Sequence, residues 1–117
     1  MTALPAWKAI PEHLRGGLAR YLIYGIQPGS GLSAIIKGDL FETLKLVSED
    51  TCKGLIHIVT FLENYAPSGS LGSHADLLGW ICLSTNARIT ATRRAAGDAF
   101  EQMVSDSGVP LPSEEIE

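Results

Sequence analysis

The chain has almost none of the residues that build a metal centre or a disulfide framework. Only two cysteines, Cys52 and Cys82, occur in 117 residues. Both stand in apolar contexts and form no C-x-x-C pair, so they read as buried, inert thiols. The three histidines, His13, His57 and His74, lack metal-ligand spacing, and no cofactor or metal is expected. Catalytic signatures are missing as well. There is no G-x-S-x-G elbow, and neither glycine-rich loop ends in the Gly-Lys-Ser/Thr of a P-loop. No apolar run approaches the roughly 18 to 20 residues of a bilayer span, and MTALPAWKAI has neither the charged start nor the apolar centre of a secretion signal. A soluble, intracellular protein without a membrane partner is the expectation.

Charge of one sign is scarce too. The formal charge is −4, but three of the thirteen acids, Glu114, Glu115 and Glu117, crowd the last five residues, so ten acids face nine bases elsewhere. A protein gripping long nucleic acid shows a basic face, which this nearly neutral body lacks. A small anion needs only one or two cations plus backbone donors, and that class of ligand stays open.

What the chain does have is apolar content of 45% and twelve glycines, enough for one core and punctuated like a set of short helices. Residues 1–9 read as a leader in which Trp7 packs onto the body. A helix opens at Ile10-Pro11-Glu12 and runs to Tyr24, with Leu14, Leu18, Tyr21 and Leu22 as its buried stripe and Gly25 as its left-handed cap. Gln27-Pro28-Gly29-Ser30 matches a type II turn. Ser30 is expected to cap a short helix to Lys37, Gly38 to end it, and Asp39 to cap another from Leu40 to about Val47. After a polar break at 48–51, Cys52, Leu55, Ile56, Val59 and Leu62 predict one buried helix ending near Asn64. Ser73 with Asp76 resembles a capping box for the helix carrying Leu77, Trp80 and Ile81. Residues 84–92 read as a linker or helical bend. A weaker helix is expected from Ala91 to Ser107, and residues 109–117 as a flexible Pro/Glu-rich tail. The domain proper is thus 10–108, an all-α, compact single domain of five or six short helices.

Two glycine-rich loops lead into helices, Gly29-Ser30-Gly31 and Gly69 to Ser73, where free N–H groups and the positive helix end suit phosphate. Caps and turns alone also explain both. A second stripe on the first helix is more telling. His13, Gly17, Arg20 and Tyr24 fall at i, i+4, i+7 and i+11 and line one flank. Gly17 leaves either a notch bordered by an imidazole, a guanidinium and a ring, or room for a neighbouring helix. His57 and His74 read as structural residues, Arg93-Arg94 as a wet helix face, and Tyr65 and Trp80 as core rings or the walls of a stacking slot.

The segments PEHLRGGLARYL, GIQPGSGL, GDL and NYAPSGSLGS, with Trp80 beyond them, resemble as a set a widespread group of small phage-encoded proteins. The resemblance covers about residues 10–80. Gly31 departs from it, standing where a bulkier residue is expected, and the C-terminal helix is additional. The group is similar to the viral sponge proteins of the anti-CBASS type, which bind cyclic nucleotide immune signals of bacterial antiphage defence without cleaving them. The resemblance implies a homo-oligomer with pockets at subunit boundaries, acting in the cytoplasm of the infected bacterial host on a cyclic oligonucleotide or related signal. Under it, Arg20 and the loops of Gly29, Ser30, Ser68 and Ser70 are expected at phosphate. Tyr24, Tyr65 or Trp80 would stack a base, His13 would hydrogen-bond, and Gly17 would supply the floor. No residue is expected to be catalytic. The rival readings are a phage module that docks and inhibits a host protein and, less favoured, an enzyme using His13 or His57 as a base.

Overall fold

The computed structural model describes residues 3–111. All regular structure among them is helical: α1 Ala3–Ala9, α2 Glu12–Tyr24, α3 Ser30–Lys37, α4 Leu40–Leu46, α5 Glu49–Lys53, α6 Leu55–Tyr65, α7 His74–Cys82, α8 Thr85–Ala96 and α9 Phe100–Ser107. The helices outnumber the five or six expected, for three local reasons. The leader is helical, the polar break at 48–51 opens a helix of its own, and the long C-terminal helix is two.

Helix α2 is the axis of the molecule. It packs against α8 and α9, while α3 joins α4 to α7 and α1 lies on α6. Leu18, Tyr21 and Leu22 are buried as their spacing predicts, together with Ile23, and Leu14 is half-buried. Gly25 adopts φ 69° and its N–H closes on the Tyr21 carbonyl, the left-handed stop expected of it. Gly38 (φ 76°) ends α3, and the Asp39 carboxylate accepts from the Glu42 N–H to start α4. Ser73 accepts from the Asp76 N–H at the head of α7.

Other expectations are corrected. Trp7 belongs to α1 and is fully buried, edge-on to Phe61 at 5.1 Å, with its indole N–H donating to Asp106 Oδ2 at 2.7 Å. Residues 3–9 thus form a helix rather than a bare leader, and Trp7 packs onto the body as expected; residues 1 and 2 lie outside the described residues. Gly29 has φ −62° and ψ 170°, so no type II turn forms; it occupies the N-cap position of α3, and Ser30 is the first helical residue rather than the cap. The helix predicted from Cys52 breaks at Gly54, where a Cβ would lie 2.4 Å from Pro11 Cγ. The buried face of α6 is Ile58, Phe61 and Leu62, while Ile56 and Val59 point outward. The segment LIHIVTFL interrupts its apolar residues only at His57 and Thr60, and the contact of Phe61 with Trp7 fixes which of them face inward.

Residues 84–92 are no linker. Ser84 accepts from the Ala87 N–H and starts α8. The helix ends at Gly97, and a 3-10 turn at Gly97–Ala99 separates it from α9. The start of the expected flexible tail is held: the Val109 carbonyl accepts the Tyr24 hydroxyl at 2.7 Å, and Leu111 packs against the core. Residues 112–117 lie outside the described residues. Cys52 is half-buried and Cys82 exposed, against the expectation of two buried thiols.

Candidate functional site

Three of the four residues of the α2 stripe meet at one cavity. His13, Gly17 and Arg20 form one wall of a space of about 340 Å³, and Gly29 and Gly31, at the entrance to α3, form another. Val47, Ser48 and Thr51 close it from the α4–α5 side. The size falls in the range of small-molecule sites, and the lining mixes a cation, hydroxyls and backbone with aliphatic Leu14, Leu32 and Ile35.

The electrostatics of this cavity favour an anion. Like α2, α6 and α9, and unlike α4, α5, α7 and α8, helix α3 begins without a side chain accepting from its first turn. Its first N–H groups therefore lack the usual acceptor, at the positive end of the helix and beside the cavity. Arg20 makes one hydrogen bond to the described residues, from Nη1 to the Ser107 carbonyl at 3.0 Å, while Nη2 lies toward Gly17. His13 Nε2 pairs with Thr51 Oγ1 at 3.2 Å, and Ser48 Oγ donates to the same Thr51 oxygen at 3.1 Å. Among the described residues no carboxylate lines this space, although Glu12 and Asp106 border the neighbouring one that shares His13, Gly17 and Arg20 with it.

The glycine pair of α2 divides two tasks. A Cβ on Gly16 would come within 3.0 Å of the Asp106 carbonyl and 3.1 Å of Arg20 Nη1, so Gly16 admits α9 and leaves Arg20 its place. A Cβ on Gly17 would meet only Leu32 Cδ2 at 3.7 Å and Arg20 Nη2 at 3.9 Å, ordinary contacts. Gly17 is thus floor of the cavity rather than a seat for a helix. A second space of about 320 Å³ lies across this saddle, bordered by Glu12, Arg15 and Asp106 as well as by His13, Gly17 and Arg20.

The other expected contacts lie elsewhere. The Tyr24 ring is turned to the C-terminal segment, where its hydroxyl serves Val109 and burial pushes its pKa up. Trp80 is buried, its indole N–H donating to the Tyr21 carbonyl at 3.1 Å. Tyr65 is half-buried beside Phe61, with ring centroids 5.6 Å apart. None of these rings reaches the cavity, so no stacking slot is formed there. Ser70 is buried, donating its hydroxyl to the Pro67 carbonyl at 2.7 Å, while its own carbonyl accepts the Tyr21 hydroxyl at 2.6 Å. Its loop is folded inward and also tied to α3, through the Gly72 N–H to the Ile36 carbonyl. Ser68 is exposed on that loop, and Ser30 is exposed at the start of α3 without lining the cavity.

Ser48, Thr51 and Val47 were not legible as site residues. The polar run Ser48-Glu49-Asp50-Thr51 reads as a break, and its one available signal is the Ser48 cap that starts α5 and turns Thr51 inward. Among the described residues no group of histidines, cysteines and acids could hold a metal ion, and no helix is long and apolar enough to cross a membrane. Comparison with protein-family models, with curated proteins and with solved structures gave no match to this chain.

Proposed function

We propose that the protein is a sponge for a small anionic nucleotide signal, of the cyclic oligonucleotide class, which it holds without chemical change. One observation carries this reading: the uncapped start of α3, the Arg20 guanidinium and His13 border a single cavity in whose wall no carboxylate of the described residues stands. Charge-assisted donation from a guanidinium and unpaired backbone N–H groups is the ordinary way a small site holds phosphate. The resemblance of residues 10–80 to phage sponge proteins supplies the biological setting: immune evasion in the cytoplasm of an infected bacterium, by a homo-oligomer. Because no aromatic ring lines the cavity, base contact in this reading falls to Leu14, Leu32, Ile35 and Val47.

The test is a thermal-shift panel of the 117-residue protein with cyclic dinucleotides, cyclic trinucleotides and cyclic ADP-ribose isomers. The reading expects a saturable rise in melting temperature with at least one of them. That ligand should then be recovered intact after the protein is denatured. No saturable shift across the panel overturns the reading, and recovery of a cleaved product replaces storage by turnover.

A further inference from the structure

The second space at the Gly17 saddle has a different character from the first. It shares His13, Gly17 and Arg20 with the first cavity and adds Glu12, Arg15 and Asp106, in a volume of about 320 Å³. Two carboxylates stand there against two guanidinium groups. A wall balanced in this way suits a neutral group rich in hydrogen bonds rather than a second phosphate.

Most polar atoms of this wall are already committed. Asp106 Oδ2 accepts the Trp7 indole N–H at 2.7 Å, and Oδ1 accepts the Gln102 amide at 3.1 Å. Arg15 donates from Nε to the Ile10 carbonyl at 2.9 Å and from Nη2 to the Lys8 carbonyl at 2.6 Å, which fixes the plane of its guanidinium. The Glu12 carboxylate is the exception: it is exposed and makes no hydrogen bond or ion pair with the described residues. The space therefore joins an unused pair of acceptor oxygens to a flat, held cation of the kind on which a base stacks.

We infer that this second space takes a guanine base of the bound nucleotide, with Glu12 accepting the N1–H and N2–H groups of its Watson–Crick edge. A carboxylate offers two parallel acceptors and no donor, and guanine is the common base with two adjacent donors on that edge. Adenine and cytosine set a ring-nitrogen acceptor beside their amino group, which a carboxylate repels. Uracil has one N–H between two carbonyls. The reach fits as well: Glu12 and Arg20 are eight residues apart, about 12 Å along α2. A nucleotide whose phosphate lies at Arg20 and the start of α3 thus meets Glu12 with its base, not with the sugar next to the phosphate. A cyclic dinucleotide has two bases, and the other one stays against the aliphatic wall of the first cavity.

The inference rests on the reading of the first cavity as a phosphate site and narrows its ligand to a guanine nucleotide. It is tested by calorimetric titration of the full chain with cyclic di-GMP, cyclic di-AMP, GMP and AMP, on the wild type and on Glu12→Gln. The wild type should favour each guanine ligand over its adenine counterpart by about tenfold, the worth of a charge-assisted pair of hydrogen bonds. Glu12→Gln should bring that ratio to about one or below, because an amide offers the donor beside an acceptor that adenine requires. A melting curve establishes that the variant is folded, and Glu12→Ala, which should also abolish the preference, replaces it if it is not. Equal wild-type affinity for guanine and adenine ligands overturns the inference and leaves the sponge standing; so does a guanine preference that survives both substitutions. Equal affinities that fall together in the variants overturn it too, since they assign Glu12 to the sugar that GMP and AMP share. A Glu12-dependent preference for GMP without binding of either cyclic dinucleotide supports the guanine site and counts against the sponge alone. Absence of binding by all four ligands overturns the guanine site.

Discussion

Tyr21 shows how much a single side chain of α2 is asked to hold. Its hydroxyl donates to the Ser70 carbonyl and thereby pins the second glycine-rich loop over the core, while its backbone carbonyl accepts the Trp80 indole. Burial first, and the charge of Asp76 second, raise its pKa well above the ordinary 10.0. Above pH 10 the unfolded phenol releases its proton while the folded one keeps it. The contribution is thus complete below that pH and is lost as the pH climbs toward the raised value. Tyr21→Phe should cost about 1 to 3 kcal/mol at neutral pH, because the buried Ser70 carbonyl loses its partner. It should also flatten the alkaline fall of stability by about 1.4 kcal/mol per pH unit. Tyr24, whose pKa burial also raises, keeps part of the slope. Urea titrations from pH 8 to 11 on both proteins check this, and parallel pH profiles would contradict it.

Between elements, the organising feature is Arg88. Its guanidinium is buried and donates to the carbonyls of Ile23 and Tyr24 at the end of α2, of Trp80, Ile81 and Leu83 at the end of α7, and to Thr85 Oγ1. Burial lowers its pKa. One side chain thus satisfies the terminal carbonyls of two helices, which would otherwise be orphaned in the interior. Gly25 makes room for it, since a Cβ there would stand 2.6 Å from the guanidinium carbon. Arg88→Met should destabilise by at least about 3 kcal/mol, and Arg88→Lys should restore little, because an ammonium cannot reproduce the planar fork. Denaturant melts measure both, and a lysine variant within about 1 kcal/mol of wild type would contradict the two-helix role. Nothing in the sequence marks Arg88, since arginine in the run TNARITATRR reads as a solvent-facing residue and the threonines and Ile89 mask a helix. Caps were legible where a short polar residue meets a glycine stop, as at Gly38-Asp39 and at Ser73. The packing of Trp7 onto the body was legible too, but the outward face of α6 was not, because it depends on the contact of Phe61 with Trp7, more than fifty residues away.

On the scale of the whole molecule, the cavity is made by segments from the first half of the chain, and the C-terminal helix steadies it from behind. Arg20 is anchored on Ser107, beyond Gly16, and Tyr24 on Val109. The α2 stripe was legible because helical spacing places His13, Gly17 and Arg20 on one flank whatever the rest of the fold does. The fourth member, Tyr24, was lost to the site because the C-terminal segment offers its hydroxyl a partner. The serines and rings near residues 65–80 were lost because the loop of Ser70 folds inward onto Tyr21.

The central claim is that the space between α2 and the start of α3 holds an anionic nucleotide. Its most direct test is calorimetric titration of whichever cyclic nucleotide stabilises the wild-type protein into Arg20→Ala, Gly17→Ala and Ser68→Ala. Arg20→Ala should weaken binding about 10- to 100-fold, the worth of a charge-assisted hydrogen bond. Gly17→Ala should also weaken it, while raising stability by up to about 1 kcal/mol through better helix propensity. Ser68→Ala, on the other loop, should leave the affinity unchanged. Affinity that survives Arg20→Ala and Gly17→Ala, or falls only with Ser68→Ala, would contradict the claim.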